Sequence, residues 1–358
     1  MDPIAFREEA DSIRDESPGK AAEMYAAAAA LGDAMAASSL GYMLMVGEGI
    51  AKDTEKAKVY LQRAVDGGET KAMCNLGSLV MGSDPVRALE LFEMAATEGS
   101  VTGMTNAATM LRTGAGVPAD AEAAVRWLEI AAESDIGSMA VLAHILRTGE
   151  GVPADKPRAA ELYLRAAELG DADSQYDLAM MMDAGDGIPM DRAGAERWFR
   201  ESASRGDNDA RLCLGGILYE RKEFSEAAEV FTDAALDGDV KAMYNLALIY
   251  MGDELGEPDR AKAVEWLESA SEAGFAYAQA MLGTILIDEG RVPEATELLR
   301  KAADQNEPSS MYNLAALAFS GQVEMDDKEA IRLLTKAAEA GVDEARELIV
   351  RLSGQGLI

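Results

Sequence analysis

The sequence predicts an all-α protein, a right-handed α/α superhelical solenoid built from successive helix pairs. Three observations support this prediction. A pattern of small, bulky and glycine positions recurs every 31 to 36 residues along most of the chain. Aromatic residues make up 6% of the chain, which disfavours sheet, while 20 methionines and many alanines suit closely packed helices. Self-similarity at such a period is typical of solenoid proteins.

Each recurring unit reads as two amphipathic helices. In the first helix, a small residue is followed four positions later by a large one, usually leucine, and then directly by a second small residue. A spacing of four places the first small residue and the large one on the same helical face, and small side chains let a neighbouring helix come close. The large-residue positions are Leu40, Leu76, Ala107, Leu142, Leu178, Leu214, Leu246, Leu282 and Leu314.

The second helix carries an alanine, then a bulky residue three positions later, then another small residue four positions further. All three tryptophans of the chain, Trp127, Trp198 and Trp266, occupy the bulky position of their units. Such recurrence at one position indicates a repeated packing site. The three tryptophans are therefore predicted to be core residues and not parts of a ligand site.

The ends of the helices are marked by turn residues. Glycine, or Asn306 in one unit, follows most second helices, where a left-handed residue ends a helix at little cost. Four longer units join their helices by a loop with two glycines and a final aspartate that is placed to cap the second helix. These aspartates are Asp53, Asp120, Asp155 and Asp191. The three short units are predicted to turn at Ser83–Pro85, near Lys222–Glu223 and at Glu289–Gly290.

This punctuation predicts the organisation of the chain. Residues 1–32 are expected to form an N-terminal helical cap with a half repeat, and residues 342–358 a C-terminal capping helix. Between them lie nine predicted repeats, at 33–68, 69–99, 100–134, 135–170, 171–206, 207–238, 239–274, 275–306 and 307–341.

The recurring motifs are A-x-x-x-L-G, then G-x-G-(I/V)-x-x-D, then A-x-x-W-(Y/L/F)-x-x-A-A-x-x-G. This pattern resembles the Sel1-like repeat, a relative of the tetratricopeptide repeat, and the segment from Ala242 to Gly274 matches it best. The resemblance implies an α/α superhelix that takes part in assembling protein complexes. The expected function is therefore a non-enzymatic scaffold or adaptor that binds a peptide or protein in its concave groove. A structural or self-assembling spacer with an empty groove is the alternative, and an enzyme of unknown type is a remote one.

The charge of the chain limits its partners. With 64 acidic and 33 basic residues, the net charge is −31. Such a protein repels phosphate backbones and anionic membrane surfaces, so neither nucleic acid nor membrane is an expected partner. A partner with basic segments would instead be attracted to it. The N-terminus lacks the pattern of a signal peptide, and Cys74 and Cys213 read as two reduced core thiols, so a cytoplasmic protein is expected.

No motif indicates catalysis. The single histidine, His144, lies on a first helix and is expected to be structural or solvated. Asp183, Asp186 and Asp191 suggest a calcium loop only superficially, because glycines occupy ligand positions and Gly194 stands where a bidentate glutamate is required. No catalytic residue, metal site or cofactor is therefore predicted.

Candidate binding residues are those first-helix positions that are neither small nor leucine. Asparagine recurs directly before the leucine position, and tyrosine recurs one residue earlier. Asparagine forms helices poorly, so its recurrence indicates either contact with a bound peptide backbone or bracing of the neighbouring repeat. Tyrosine combines an apolar ring with a hydrogen-bonding tip, which suits an interface. The candidates are Asn75, Asn106, Asn245, Asn313, Tyr176, Tyr244 and Tyr312.

Overall fold

The computed structural model describes residues 2–355, which form 21 α-helices and no β-strand. The prediction of an all-α repeat fold is therefore confirmed. The helices are α1 Pro3–Ile13, α2 Pro18–Ala30, α3 Ala34–Val46, α4 Thr54–Asp66, α5 Thr70–Val80, α6 Pro85–Thr97, α7 Val101–Thr113, α8 Ala121–Ala131, α9 Ile136–Thr148, α10 Lys156–Glu168, α11 Ala172–Ala184, α12 Arg192–Ser204, α13 Asn208–Glu220, α14 Phe224–Leu236, α15 Val240–Met251, α16 Arg260–Glu272, α17 Ala276–Asp288, α18 Val292–Asp304, α19 Pro308–Phe319, α20 Asp327–Glu339 and α21 Asp343–Gly354.

The helices pack in antiparallel pairs that follow chain order, as α3 with α4 and α17 with α18. The second helix of a pair then packs on the first helix of the next, and first helices also contact one another, as α3 with α5 and α17 with α19. The chain divides into two compact units, unit 1 up to Ala195 and unit 2 from Glu196 onward, and the boundary lies within α12. Each unit is a stack of helix pairs with its own hydrophobic core.

Aspartates cap the second helices as predicted. The backbone N–H of Lys56 donates to Asp53 Oδ1 at 3.0 Å, and that of Ala123 donates to Asp120 Oδ1 at 2.8 Å. Asp155 and Asp191 accept in the same way from the third residue of their helices. These bonds satisfy backbone donors that have no partner within the helix.

The turns after the second helices also agree with the sequence. Most of their glycines have positive φ, among them Gly170 at 93°, and Asn306 adopts φ 65° in the same role. The three short turns lie between α5 and α6, α13 and α14, and α17 and α18, as predicted. Local residue chemistry therefore accounts for these connections.

The core is built from the small and leucine positions of the first helices and one position of the second helices. That position comes directly after the predicted bulky one and carries a large, buried side chain in each of the nine repeats. Its residues are Leu61, Phe92, Leu128, Tyr163, Phe199, Phe231, Leu267, Leu299 and Leu334, all at most 3% exposed.

The expectation that the tryptophans are core residues needs correction, because all three are half-buried. Trp127 and Trp266 cover the edge of the core. Val230 and Leu298 at the same position are half-buried too, so the size of the indole alone does not account for this placement.

Small residues after the leucine position allow the two helices of a pair to touch. A Cβ atom on Gly77 would lie 2.7 Å from Cε1 of Phe92, and one on Gly283 would lie 2.8 Å from Cδ2 of Leu299. Contacts that short do not occur between real side chains, so a larger residue at either point would require the Phe92 or Leu299 side chain to move. The predicted role of the small positions is confirmed there.

The ends of the array have simple structures. The first 32 residues contain a complete helix pair, α1 and α2, where the sequence indicated a cap with a half repeat. At the other end, α21 packs on α20, and residues 356–358 of the proposed C-terminal cap lie outside the described residues. The boundaries of the nine repeats stay a proposal, with two helices in each.

Candidate functional site

Every predicted site residue lies on a first helix and is half-buried. Unit 1 contains Asn75 on α5, Asn106 on α7 and Tyr176 on α11. Unit 2 contains Asn245 and Tyr244 on α15, and Asn313 and Tyr312 on α19. Within each unit these residues lie on one side of the first helices, which we call the first-helix face of that unit. It comprises the tyrosine positions, the asparagine positions and the positions three residues after the asparagines, for example Asn75 and Ser78.

In unit 1 the asparagine amides are available. The side-chain amides of Asn75 and Asn106 have no hydrogen-bond partner within residues 2–355. The nearby hydroxyls of Ser78 and Thr109 donate to the backbone oxygens of Cys74 and Thr105 at 3.0 and 2.8 Å. Those hydroxyl hydrogens are occupied, so the two oxygens face outward as acceptors. The face therefore offers both donors and acceptors.

In unit 2 one asparagine connects two repeats. Asn313 Nδ2 donates to Thr284 Oγ1 at 3.1 Å, and the Thr284 hydroxyl donates to the Ala280 backbone oxygen at 3.0 Å. This chain of bonds joins α19 to α17. It corresponds to the bracing role that the sequence left open for these residues, although the Asn313 side-chain oxygen is still available to accept.

Aromatic rings gather at one edge of the first-helix face in unit 2. The ring centroid of Tyr244 lies 5.7 Å from that of Phe275 and 6.1 Å from that of Tyr277. Burial raises the pKa of Tyr244, and the charge of Glu307 raises it further, so its phenol stays protonated. Tyr277 is 55% exposed. The cluster could contact an apolar group of a partner.

Sequence reasoning missed Phe275 and Tyr277. Most repeats begin with an aspartate or serine that caps the first helix, as Asp239 does for α15 through the Ala242 N–H at 2.8 Å. Phe275 stands at this position for α17 and makes no capping bond. The signal was present in the sequence, because an apolar aromatic residue occupies a capping position in only this repeat.

The two-glycine loops join consecutive repeats. In the loops after α3, α9 and α11, the residue between the glycines is acidic and pairs with an arginine of the preceding helix pair. Arg14 makes two bonds to Glu48, at 2.7 and 2.8 Å. Arg112 donates to Glu150 at 2.9 Å. In the loop after α7 alanine replaces the acid, and no ion pair holds that loop among the described residues.

The third acidic residue, Asp186, has the most partners. Arg147 reaches both Asp186 and Asp177, at 3.2 and 2.9 Å, and Lys156 donates to Asp186 at 2.6 Å. Two cations therefore already engage Asp186 in the segment that superficially resembled a calcium loop. Within residues 2–355, no cluster of three or more His, Cys, Asp or Glu side chains could hold a metal ion.

The second glycine of each loop lies over the start of the preceding second helix. A Cβ atom on Gly49 would lie 2.5 Å from Cβ of Pro18, and one on Gly151 would lie 2.5 Å from Cβ of Ala121. Both glycines also have positive φ, at 70° and 73°. The glycines are therefore needed for the contact between repeats as well as for the tight turn.

These ion pairs predict acid sensitivity in unit 1. Hydrogen bonds from Lys156 and Arg147 hold the pKa of Asp186 below its usual range, and Arg14 lowers the pKa of Glu48. A carboxylate whose folded pKa is depressed stabilises the fold at neutral pH, and this stabilisation is lost as the pH falls through the folded pKa. Replacing Asp186 by asparagine should therefore lower the free energy of unfolding at pH 7 by about 0.5–1 kcal/mol.

The same substitution should flatten the dependence of stability on acid, measured by urea unfolding at a series of pH values. Glu161→Gln on α10 is the matched control, because Glu161 is exposed and forms no ion pair within residues 2–355. An equally steep acid dependence in the Asp186→Asn variant and the parent chain would contradict the assignment.

The second helices form a separate surface with shallow grooves between them. One groove, between α18 and α20, encloses a volume of about 250 Å³ over Met311 and Leu333. Arg300, Arg332 and Lys336 line its edge. None of the helices in residues 2–355 is long and apolar enough to cross a membrane. The half-buried amides and phenols that the sequence singled out lie on the first-helix face, and not in this groove.

His144 and the cysteines lie apart from any cluster of reactive groups. His144 is exposed on α9. Cys74 is buried and lies 3.7 Å from the Ser100 hydroxyl, whereas Cys213 is half-buried, so only Cys74 has the core position that the sequence predicted for both.

Comparison with known proteins agrees with this geometry. The model of the Sel1 repeat matches residues 12–33, 34–69, 70–100, 101–135, 137–171, 172–207, 240–275, 276–307 and 308–342. These segments cover most of the chain, and residues 208–239 lie between two of them.

Two solved structures have similar folds. One is a protective antigen of uropathogenic Escherichia coli strains that displays an SLR fold; it is 29% identical, with a TM-score of 0.80 over 99% of this chain and 80% of that chain. The other is a Sel1 repeat protein from Oxalobacter formigenes, 24% identical, with a TM-score of 0.71 over 87% of this chain and 93% of that chain. At that lower identity the second likeness concerns the fold alone.

Two curated relatives are similar over part of this chain. The exopolysaccharide production negative regulator of Rhizobium leguminosarum bv. viciae is 31% identical over 127 residues, which are 34% of this chain and 48% of that protein. The protein of the same name from Rhizobium meliloti is 28% identical over 117 residues, 32% of this chain and 44% of that protein. The chain thus spans about half the length of these relatives. Because nine matched repeats account for most of its residues, the chain belongs to the Sel1 repeat family.

Proposed function

We propose that this chain is a non-enzymatic interaction scaffold that binds a peptide or protein on its first-helix face. Proteins built from Sel1 and tetratricopeptide-like repeats are generally scaffolds for protein interactions. The observation that carries the proposal for this chain is the pair of amides on Asn75 and Asn106, which lack partners within residues 2–355 and lie half-buried on consecutive first helices. An amide both donates and accepts, so it can match the N–H and C=O groups of a bound backbone.

The predicted site residues of unit 2 would also contact the partner. Tyr244 and Tyr312 would supply apolar contact area with a polar tip, and Tyr176 would do the same in unit 1. Asn245 and Asn313 would contact the partner as well. For Asn313 the bond to Thr284 favours a bracing role beside the contact, which is also what the spacer alternative requires.

The names of the curated relatives support a regulatory setting. Both are negative regulators of exopolysaccharide production, and each shares about a third of this chain. We propose that this scaffold acts by holding a regulatory partner, in the cytoplasm, without catalysing a reaction itself. The net charge of −31 would draw in partners that carry basic segments, and it gives no support to nucleic acid or membrane as a partner.

The proposal is tested with two double variants and a partner captured from native lysate. Asn75→Ala with Asn106→Ala should speed dissociation, because each lost hydrogen bond weakens binding by about 0.5–1.5 kcal/mol, or about 2- to 12-fold in affinity. Asn245→Ala with Asn313→Ala should also weaken binding and should lower stability slightly, since the bond to Thr284 is lost. Surface plasmon resonance separates the two rates, and circular dichroism checks that each variant is folded.

Salt should change the rate of association with the partner. Association should slow as salt rises, because the screening length falls from about 30 Å at 0.01 M to about 8 Å at 0.15 M. Unchanged affinity in both double variants would show that the asparagines are structural. A concentration-dependent oligomer in light scattering, with no captured partner, would favour the spacer alternative.

A further inference from the structure

Carboxylates are distributed unevenly between the two helices of each pair in unit 1. The first helices α3, α5, α7 and α9 contain no aspartate or glutamate. Each of the second helices α4, α6, α8 and α10 contains two. These residues are Glu55, Asp66, Glu90, Glu93, Glu122, Glu129, Glu161 and Glu168. In a chain with 64 acidic residues among 358, four successive first helices of unit 1 thus contain no carboxylate.

The cations of these first helices are mostly neutralised. Arg112 pairs with Glu150, and Arg147 pairs with Asp177 and Asp186. Lys71, which is exposed, forms no ion pair within residues 2–355, and His144 is exposed on α9. The face consequently presents little fixed charge of either sign, although the chain as a whole is strongly acidic.

Exposed hydrogen-bonding groups stand at equivalent positions across this face. Tyr42, Ser78 and Thr109 occupy the same position on α3, α5 and α7, and all three are exposed. Because α3 packs on α5 and α5 on α7, the three hydroxyls form a row. Beside this row lie the amides of Asn75 and Asn106. The row extends over consecutive repeats, which suits an elongated ligand more than a compact one.

We propose that the first-helix face of α3, α5 and α7 binds an extended, uncharged polar segment of a partner protein. This inference rests on the proposed function and specifies the chemistry of the partner. The amides and the hydroxyl oxygens hydrogen-bond to the backbone and polar side chains of the segment. A lysine or arginine pressed against this face loses its hydration and meets no carboxylate of α3, α5 or α7, which costs free energy. An acidic side chain loses its hydration as well and finds an unpaired cation on these helices only at Lys71. The net charge of −31 of the whole chain attracts basic parts of the partner from a distance, and these parts do not contact the face.

The experiment selects peptides from a random peptide library displayed on phage, using the purified full chain as the target. Enriched peptides are synthesised with a fluorophore, and their affinities are measured by anisotropy at low and physiological salt. The expected peptides are uncharged over the contacted stretch, with affinities that hardly change with salt. Replacing one contacted peptide residue by lysine should weaken binding by about tenfold, and so should glutamate at a peptide position away from Lys71.

Two variants of the chain locate the site. Thr109→Asp places a carboxylate on the face and should weaken binding of the uncharged peptides by about tenfold. Glu122→Gln, on α8, removes an exposed carboxylate from a second helix and should leave the affinity unchanged. Circular dichroism of both variants checks that the helices persist.

The outcomes separate this inference from the proposed function. Enriched peptides rich in lysine and arginine whose binding falls steeply with salt, or acidic peptides, would overturn the inference while the scaffold function stands. The same holds if uncharged peptides bind the Thr109→Asp variant as tightly as the parent chain. If no peptide is enriched on the parent chain, both the inference and the peptide-binding function fail.

Discussion

Replacing Phe92 by alanine should lower the free energy of unfolding of unit 1 by about 3–5 kcal/mol. The Phe92 side chain is 2% exposed and packs with Ala88, Ala107 and Met110. Its ring also lies against Gly77, which has no side chain that could move into the space. The substitution therefore removes buried apolar surface and leaves a cavity, and both effects destabilise the fold.

The measurement is urea unfolding followed by far-ultraviolet circular dichroism. Met94→Ala is the matched control on the same helix, because Met94 is 40% exposed and its truncation should change stability by less than about 0.5 kcal/mol. Repeats unfold with nearest-neighbour coupling, so the transition of the Phe92 variant should move to lower urea and also broaden. Equal effects of the two substitutions would show that the buried position of the second helix does not hold the core together.

Replacing Gly103 by alanine should destabilise unit 1 by about 1–3 kcal/mol through overpacking. A Cβ atom there would lie 2.7 Å from the backbone nitrogen of Ala96 and 2.8 Å from the backbone oxygen of Phe92. These are main-chain atoms of α6, which cannot turn aside as the end of a side chain can. The two helices must separate, although alanine is the better helix former.

Gly137→Ala is the control, because its expected change in stability has the opposite sign. Gly137 occupies the first turn of α9, as Gly103 does in α7, but the nearest atom to its Cβ position is Asp135 Oδ2 at 3.5 Å. Gly137→Ala should therefore stabilise the chain by about 0.5–1 kcal/mol through helix propensity alone. Thermal and urea unfolding of the two variants should shift in opposite directions. A shift in the same direction would mean that α7 does not approach α6 as closely as the structure indicates.

Much of the fold follows from local patterns in the sequence. The spacing of small and large residues determines which face of each helix is buried, and the capping aspartates and left-handed glycines mark where helices begin and end. Each of these signals acts within one helix or one turn. For this reason the helices, the short turns and the caps at Asp53 and Asp120 agreed with prediction.

The degree of burial within a helix was harder to predict. The tryptophan position was expected to be the core of the second helix, yet the position directly after it is the buried one, as Leu128 shows beside Trp127. Both positions are apolar, so the sequence pattern permits either. The rotation of the second helix against the first decides between them, because the smaller Val230 and Leu298 at the tryptophan position are half-buried as well.

The sequence by itself determined the period, the helix pairs and the candidate positions on the first helices. Only the tertiary structure decided which of those positions are available, since it joins Asn313 to Thr284 and leaves Asn106 without such a bond in the described chain. It also paired Arg14 with Glu48 and brought α3, α5 and α7, which contain no carboxylate, side by side. The physical reason is the distance along the sequence over which each signal acts. Helix periodicity is encoded within a few residues, whereas these contacts join residues about one repeat apart, whose meeting depends on how each pair is rotated against the next.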